Sequence, residues 1–446
     1  MLIRFYARNY RSIDQEIELS MLPGKTRSHT NHVAQSTNRS EFSLLKTAVI
    51  YGANAAGKSN IVEAIRFAQS FIIRGTRPEQ LISFQQFKLG DKQNVEPTRF
   101  EFEIQTKNVP YSYGFELNNK VVLSEWLYEI SKTRSPKQIF DRTENNQESK
   151  ITINKKQLKL KEDDFQFLRF IARGTRENQL FLTECRERNS DHFSDIINWF
   201  QNVLSVLPPP SISNSSEFNF GENKSFVDNL INSLSSFNID ISNIELRKME
   251  ESDDPQFNAN LRKFFDISPN ISDQIEIGGD NGRMIIKREQ NGEVNAYKLI
   301  TTRKNAKGED IYFEFNEESD GTIRLIDLLC GFLTSLRNER VFIVDELDRS
   351  LHPILSYNFV DFFLNATSGF PNQLIVTTHE SFILDLDLLR KDEIWFVEKD
   401  KTGSTNLYSL EEFTPRADKD VRRGYLQGRY GAIPLIREIS KLGWIN

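Results

Sequence analysis

Cysteine is scarce: the 446 residues contain two, Cys185 and Cys330, too few for a disulfide scaffold. Five scattered histidines give no regularly spaced set of zinc ligands. No apolar run approaches the roughly 20 residues that a membrane-spanning helix needs. The opening Met1-Leu2-Ile3-Arg4-Phe5 lacks the charged start, apolar stretch and cleavage site of a secretory leader. An excess of one charge is missing too. Lys and Arg number 57 against 63 Asp and Glu, so no global attraction to nucleic acid is expected. Disorder throughout is excluded, because low hydrophobicity and high net charge do not coincide here. What is left is a soluble, cytoplasmic protein with no membrane partner. Its length suits one large elaborated domain or two moderate ones.

Three segments emerge along the chain. In the first, Ile3, Phe5 and Ala7 alternate as in a strand. After a polar stretch, Thr47-Ala48-Val49-Ile50-Tyr51 reads as a buried strand. Asn60 to Ile73 has helical spacing, with Ile61, Ala64, Ile65, Ala68 and Ile72 on one face. Alternation over 100–104 and 111–115 predicts an antiparallel meander, with Asn118-Asn119 as a turn. The middle, 131–296, is rich in Asn, Ser, Lys and Glu. It shows helical periods over 165–181 and 192–206, broken by Pro208-Pro209-Pro210 and a loop-like 211–219. It reads as an inserted helical or mixed subdomain. No heptad run survives its prolines and Ser/Asn clusters, and there are no internal repeats. From 297 onward, apolar strands at 340–344, 373–377 and 393–397 alternate with helical stretches at 349–366 and 381–389. That alternation indicates a parallel sheet covered on both faces.

The chemistry begins at Gly52-Ala-Asn54-Ala-Ala-Gly57-Lys58-Ser59. It follows a buried strand and opens an amphipathic helix, the context a phosphate-binding loop requires. The glycines let backbone N–H groups curl round phosphates. Lys58 reaches the terminal phosphates, and the Ser59 hydroxyl suits magnesium. A second signal is Asp345-Glu346 at the end of the strand Val341-Phe-Ile-Val344. There Asp345 can hold the metal through water and Glu346 can polarise an attacking water. Thr377-Thr378-His379 ends the next strand, where a neutral imidazole can hydrogen-bond a γ-phosphate. Glu318-Ser319-Asp320-Gly321-Thr322 precedes an apolar helix. It reads either as a plain helix cap or as an anion site.

The order of these motifs, with Leu347-Asp348 placed as a D-loop, resembles the ATP-binding-cassette ATPase superfamily. The opening Asn9-Tyr10-Arg11-Ser12 is similar to the start of its SMC/RecF-like branch, with Tyr10 in place of the usual Phe. Glu-Ser-Asp-Gly-Thr, Thr-Thr-His-Glu and the run from Gly424 to Pro434 resemble stand-alone AAA family ATPases, including RloA-like and AbiL-type subunits of prokaryotic anti-phage systems. The resemblance covers about 1–130 and 300–446. It implies an α/β fold: an ABC-type P-loop ATPase with a mixed sheet, an antiparallel β subdomain and an inserted helical subdomain. The expected segments are 1–130, 131–296 and 297–446, the last ending in a basic tail.

The resemblance also implies ATP and Mg2+ as ligands, with ATP hydrolysed. Gly52, Asn54, Gly57, Lys58, Ser59, Asn60 and Arg11 would contact the nucleotide, and Ser59 and Asp345 the metal. Glu346 and His379 would be catalytic. Ser319 and Gly321 would cap the γ-phosphate held by a second copy, and Asp348 would communicate between the two sites. Gln85 or Gln86 would serve as the Q-loop residue. His352 is expected to pack near the D-loop.

A nuclease on the same chain would need a Glu and an Asp-x-Asp. Asp385-Leu-Asp387 has the spacing, but only about 60 residues follow, and a polar helix edge explains it. The expected function is therefore an ATP-dependent switch subunit. It would form a homodimer or higher homo-oligomer, answer a phage-derived trigger and control a separately encoded effector, a nuclease or other toxin. The alternative is a RecF/SMC-like DNA-repair or DNA-binding ATPase. Its support is the basic run of Arg416, Lys419, Arg422, Arg423, Arg429, Arg437 and Lys441.

Overall fold

The computed structural model describes residues 1–35, 42–90, 96–145, 148–207, 223–249, 274–279, 282–288, 293–334, 336, 338–413 and 420–433. Residues 208–210 and 211–219, together with Arg416, Lys419, Pro434, Arg437 and Lys441, lie outside them. The chain divides into two compact units. One comprises Met1–Pro208, Asn338–Leu347 and Phe359–Asn446, and the other Pro209–Arg337 and Asp348–Asn358.

The first unit is built on two sheets. The central one has the order Leu204–Leu207, Arg340–Val344, Asn372–Thr378, Thr47–Gly52, Ile394–Lys399, Thr405–Ser409. All pairings are parallel except the last, a hairpin of Ile394–Lys399 with Thr405–Ser409. Thr47–Gly52 is buried at every residue, as expected of a strand with both faces covered. The second sheet is antiparallel and seven-stranded. It runs from Glu148–Ile153 through Lys137–Asn145, Val122–Glu129, Val109–Leu117 and Thr98–Thr106 to Leu2–Arg8 and Ile17–Ser20. Thr98–Thr106 alternates buried and half-buried along its whole length, the pattern of a sheet with one face in the core.

The helix Lys58–Arg74 buries Ile61, Ala64, Ile65, Ala68 and Ile72, the face read from spacing, and adds Val62 and Phe71. Phe67 and Phe71 meet Phe100 and Phe115 of the antiparallel sheet, each pair with ring centroids 5.5 Å apart. Trp199 and Phe200 extend this cluster, with Phe200 set edge-on to Phe102 at 5.1 Å. Such tilted and edge-on ring pairs are the favourable ones.

Boundaries fall elsewhere than at 130 and 297. Lys137–Asn145 and Glu148–Ile153 form two further strands of the antiparallel sheet. The helices Glu162–Gly174 and Phe181–Glu187 also belong to the first unit. Composition could not show this, because Lys137–Asn145 and Glu148–Ile153 join the sheet through backbone pairing. The period expected over 192–206 ends early: a π-helical turn, Trp199–Val203, gives way to the strand Leu204–Leu207 at the edge of the central sheet. The helix expected over 381–389 is only a single 3-10 turn, Ser381–Ile383. Beyond it the Asp385 side chain accepts from the Asp387 N–H at 2.9 Å. A short acidic side chain bonded to its own backbone competes with a helix, so Asp385-Leu-Asp387 is a turn and not a helix edge.

The second unit has its own antiparallel sheet, in the order Asn243–Lys248, Val294–Lys304, Gly282–Arg288, Gln274–Gly279, with Asp310–Glu314 paired to Val294–Lys304. It also holds the helices Lys224–Ser236 and Asp320–Leu333.

Candidate functional site: a phosphate-loop cleft

The loop after Thr47–Gly52 is shaped by two close approaches. A Cβ on Gly52 would lie 2.4 Å from the Val397 carbonyl oxygen, and one on Gly57 2.1 Å from Thr405 Oγ1. Gly57 also has φ +117°, a backbone that side chains rarely adopt. Ala55 has φ +64°, a departure worth about 1–3 kcal/mol that the surroundings must hold in place. The glycine spacing is thus demanded by the hairpin Ile394–Ser409 that the loop rests on.

The Lys58 ammonium, buried, donates to the Gly52 carbonyl at 2.7 Å and lies 3.2 Å from His379 Nδ1. His379 comes from the end of Asn372–Thr378, which pairs in parallel with Thr47–Gly52. Two strands far apart in sequence therefore bring cation and imidazole together. The neighbouring strand Arg340–Val344 delivers Asp345, buried, and Glu346. Thr377 holds both. Its hydroxyl donates to Asp345 Oδ1 and accepts from the Glu346 N–H at 2.9 Å. Glu346 has φ +50°, a strained position for a non-glycine.

A cleft of about 470 Å³ is lined by Asn54, Gly57, Lys58, Ser59, Asn60, Glu346, His379 and Lys399, among others. So the loop residues, the strand-end acid and the histidine share one cavity. Arg11, Gln85 and Gln86 line a second cleft instead, of about 290 Å³, together with Ser12 and Phe87. Arg11 has φ +51°, donates its N–H to the Gln85 carbonyl at 2.8 Å and pairs with Glu63 at 3.2 Å. The Ser59 hydroxyl and Asp345 carboxylate are hard oxygen donors, the kind magnesium takes. A lysine beside backbone N–H groups at a helix start suits phosphate, and an acid with an imidazole beyond it can position water.

The second unit holds the other predicted residues. Ser319 caps Asp320–Leu333, its Oγ accepting from the Thr322 N–H at 3.2 Å. A Cβ on Gly321 would meet the Ser350 carbonyl oxygen at 2.6 Å. Glu318 is committed to Thr301 and Arg303, at 2.7 and 2.6 Å. Ser319 and Asp320 are exposed. Asp348 belongs to the turn before His352, its carbonyl accepting from the Leu351 N–H at 3.1 Å. His352 Nδ1 accepts from the Ile354 N–H at 3.3 Å at the start of Pro353–Ala366.

Sequence reasoning missed Ser12, Thr405 and Lys399. Ser12 Oγ lies 2.7 Å from Thr405 Oγ1, which donates to the Ala56 carbonyl at 3.0 Å, and Asn60 donates to Ser12 at 2.6 Å. Ser12 sat within a quoted motif. Thr405 and Lys399 carried no local signal.

Fold and cleft together define a P-loop ATPase domain of mixed α/β architecture. The family described as "AAA domain, putative AbiEii toxin, Type IV TA system" matches residues 48–385. The chain belongs to that family. No curated protein matches it. Among solved structures, similarity is found to the SmcHead bound to the C-winged helix domain of ScpA, at 12% identity and TM-score 0.43, over 92% of this chain and 97% of that one. The SMC head domain from Thermotoga maritima matches at 12% and 0.35, over 92% and 98%. An Smc head domain with an extended coiled coil, bound to the C-terminal domain of ScpA derived from Pyrococcus furiosus, matches at 13% and 0.36, over 92% and 97%. Among the described residues no helix is long and apolar enough to cross a membrane, and no group of three or more His, Cys, Asp and Glu side chains is placed to hold a metal ion.

Proposed function

We propose that this protein is an ATP-binding and ATP-hydrolysing switch subunit of a prokaryotic anti-phage system. Two copies pair through ATP and so control a separately encoded effector, a nuclease or other toxin. The observation that carries the reading is the single cleft holding Lys58, Ser59, Glu346 and His379, with Asp345 fixed beside it by Thr377.

In this reading Lys58 and the loop N–H groups bind the phosphates, and Ser59 and Asp345 hold magnesium, which when bound offsets phosphate charge. Glu346 orients the attacking water, and His379 senses the terminal phosphate. Ser319 and Gly321 of one copy complete the pocket of the other, and Asp348 couples the two sites. Gln85 or Gln86 would report nucleotide to the rest of the chain. The exposed Ser319 cap supports a contact made in trans, since among the described residues its hydroxyl is bonded within its own first turn.

The DNA-binding alternative rests on basic residues of which Arg422, Arg423 and Arg429 are described. Arg422 is stacked over the Phe382 ring at 5.0 Å, which reduces the free positive surface. The deciding experiment is size exclusion of the full chain with and without ATP, followed by copurification with the product of the adjacent gene. ATP-dependent pairing and a captured nuclease or toxin are expected. A monomer under every nucleotide condition, combined with salt-dependent DNA binding, would overturn the switch reading.

A further inference from the structure

The phosphate-loop cleft and the smaller cleft beside it share two lining residues, Asn60 and Lys399. Lys399 ends the strand Ile394–Lys399, whose Val397 lies opposite Gly52. The chain therefore passes alongside the loop just as the lysine is reached. Among the described residues neither flanking acid forms an ion pair with it. Glu398 accepts from the Ala432 N–H at 3.0 Å. Asp400 accepts from the Thr402 and Ser404 N–H groups at 2.8 and 2.9 Å within its own turn.

The hairpin carrying Lys399 is tied to the loop. Thr405 N–H donates to the Ser12 carbonyl at 2.8 Å, and the Thr405 hydroxyl reaches the Ala56 carbonyl. The missing side chains of Gly52 and Gly57 are what let the hairpin come this close. An exposed ammonium on such an anchored wall keeps its place in the cleft while its long stem adjusts to a ligand.

We infer that Lys399 is a second nucleotide-binding cation, acting on the nucleoside-side phosphates. This rests on the reading of the cleft as a nucleotide site. The order of residues decides which phosphates it meets. Glu346 and His379 mark the reacting end. Asn60 and Lys399 mark the passage into the cleft of Gln85, Gln86 and Phe87, where two amides and an aromatic ring suit a sugar and base. A contact to phosphates common to triphosphate and diphosphate binds ground and transition states alike, so it lowers KM and leaves kcat.

The test is calorimetric titration of the full chain with ADP and with a non-hydrolysable ATP analogue. Lys399→Ala is expected to weaken both by about tenfold, with their ratio unchanged. Lys399→Arg should recover most of the loss, and the melting temperature should match the parent. Affinities within twofold of the parent overturn the assignment, as does a loss confined to the triphosphate. Lys58→Ala in the same series tests the cleft itself. A parent that binds neither nucleotide, or a Lys58→Ala chain that binds like the parent, sinks the nucleotide reading. A silent Lys399→Ala in a parent that binds sinks only the present inference.

Discussion

The phosphate loop and the Ser319 turn both start a helix with a small-residue motif, yet they are held in different ways. Gly52, Gly57, Asp345 and Glu346 are each fixed by residues remote in sequence: Val397, Thr405 and Thr377. Among the described residues Ser319 bonds its own first helical turn, and Gly321 is hemmed in by the Ser350 carbonyl. The first motif is fully formed by its own unit. The second is a capped helix start with an exposed hydroxyl, stable by itself, since a cap contributes about 1 kcal/mol. It gains chemistry only if something is presented to it.

This contrast orders the predicted effects. Lys58→Ala should weaken ATP binding by about 100-fold or more, because a buried charge-assisted contact is lost. Calorimetry reads this, and near-normal binding would remove the loop from the site. Glu346→Gln should slow hydrolysis by about 100-fold while keeping affinity, and an ATP-bound assembly should accumulate on size exclusion. A monomer that turns over normally would contradict it. Ser319→Arg should leave nucleotide binding intact and cut turnover by about tenfold or more. Mixing it with Lys58→Ala chains should restore part of the activity. No rescue would mean the second motif is only a cap, and the comparison would collapse to one functional region.

The smallest effect is expected at Thr377→Val. It strips one hydroxyl from two partners and costs about 1–3 kcal/mol, seen as a melting temperature lower by about 2–4 °C per kcal/mol. Turnover should fall more than affinity, because Asp345 and Glu346 lose their orientation. An unchanged melting temperature would show that the two acids are held by other means.

Much of the site was legible because its residues obey local rules. The sequence Gly52–Ser59 states its own backbone needs, and the apolar strands ending in Asp345-Glu346 and Thr378-His379 place their side chains at one end of a parallel sheet. Arg11, Gln85 and Gln86 share a cleft because the Arg11 N–H bonds the Gln85 carbonyl, a link that spacing does not encode. The 131–160 stretch misled for a related reason. Strands that extend an existing sheet need no apolar signature of their own where one face is wet.

The sequence by itself determined the loop, the acidic and histidine strand ends, the helix face of Ile61, Ala64, Ile65, Ala68 and Ile72, and hence the class of protein. Each of these is written within a few residues, as glycine tolerance or side-chain period. Only the tertiary structure decided that Thr377 clamps both acids, that Thr405 and Val397 dictate the glycines, and that Lys399 borders the cleft. Those choices depend on which strands become neighbours, a property of the assembled sheet that no single segment carries.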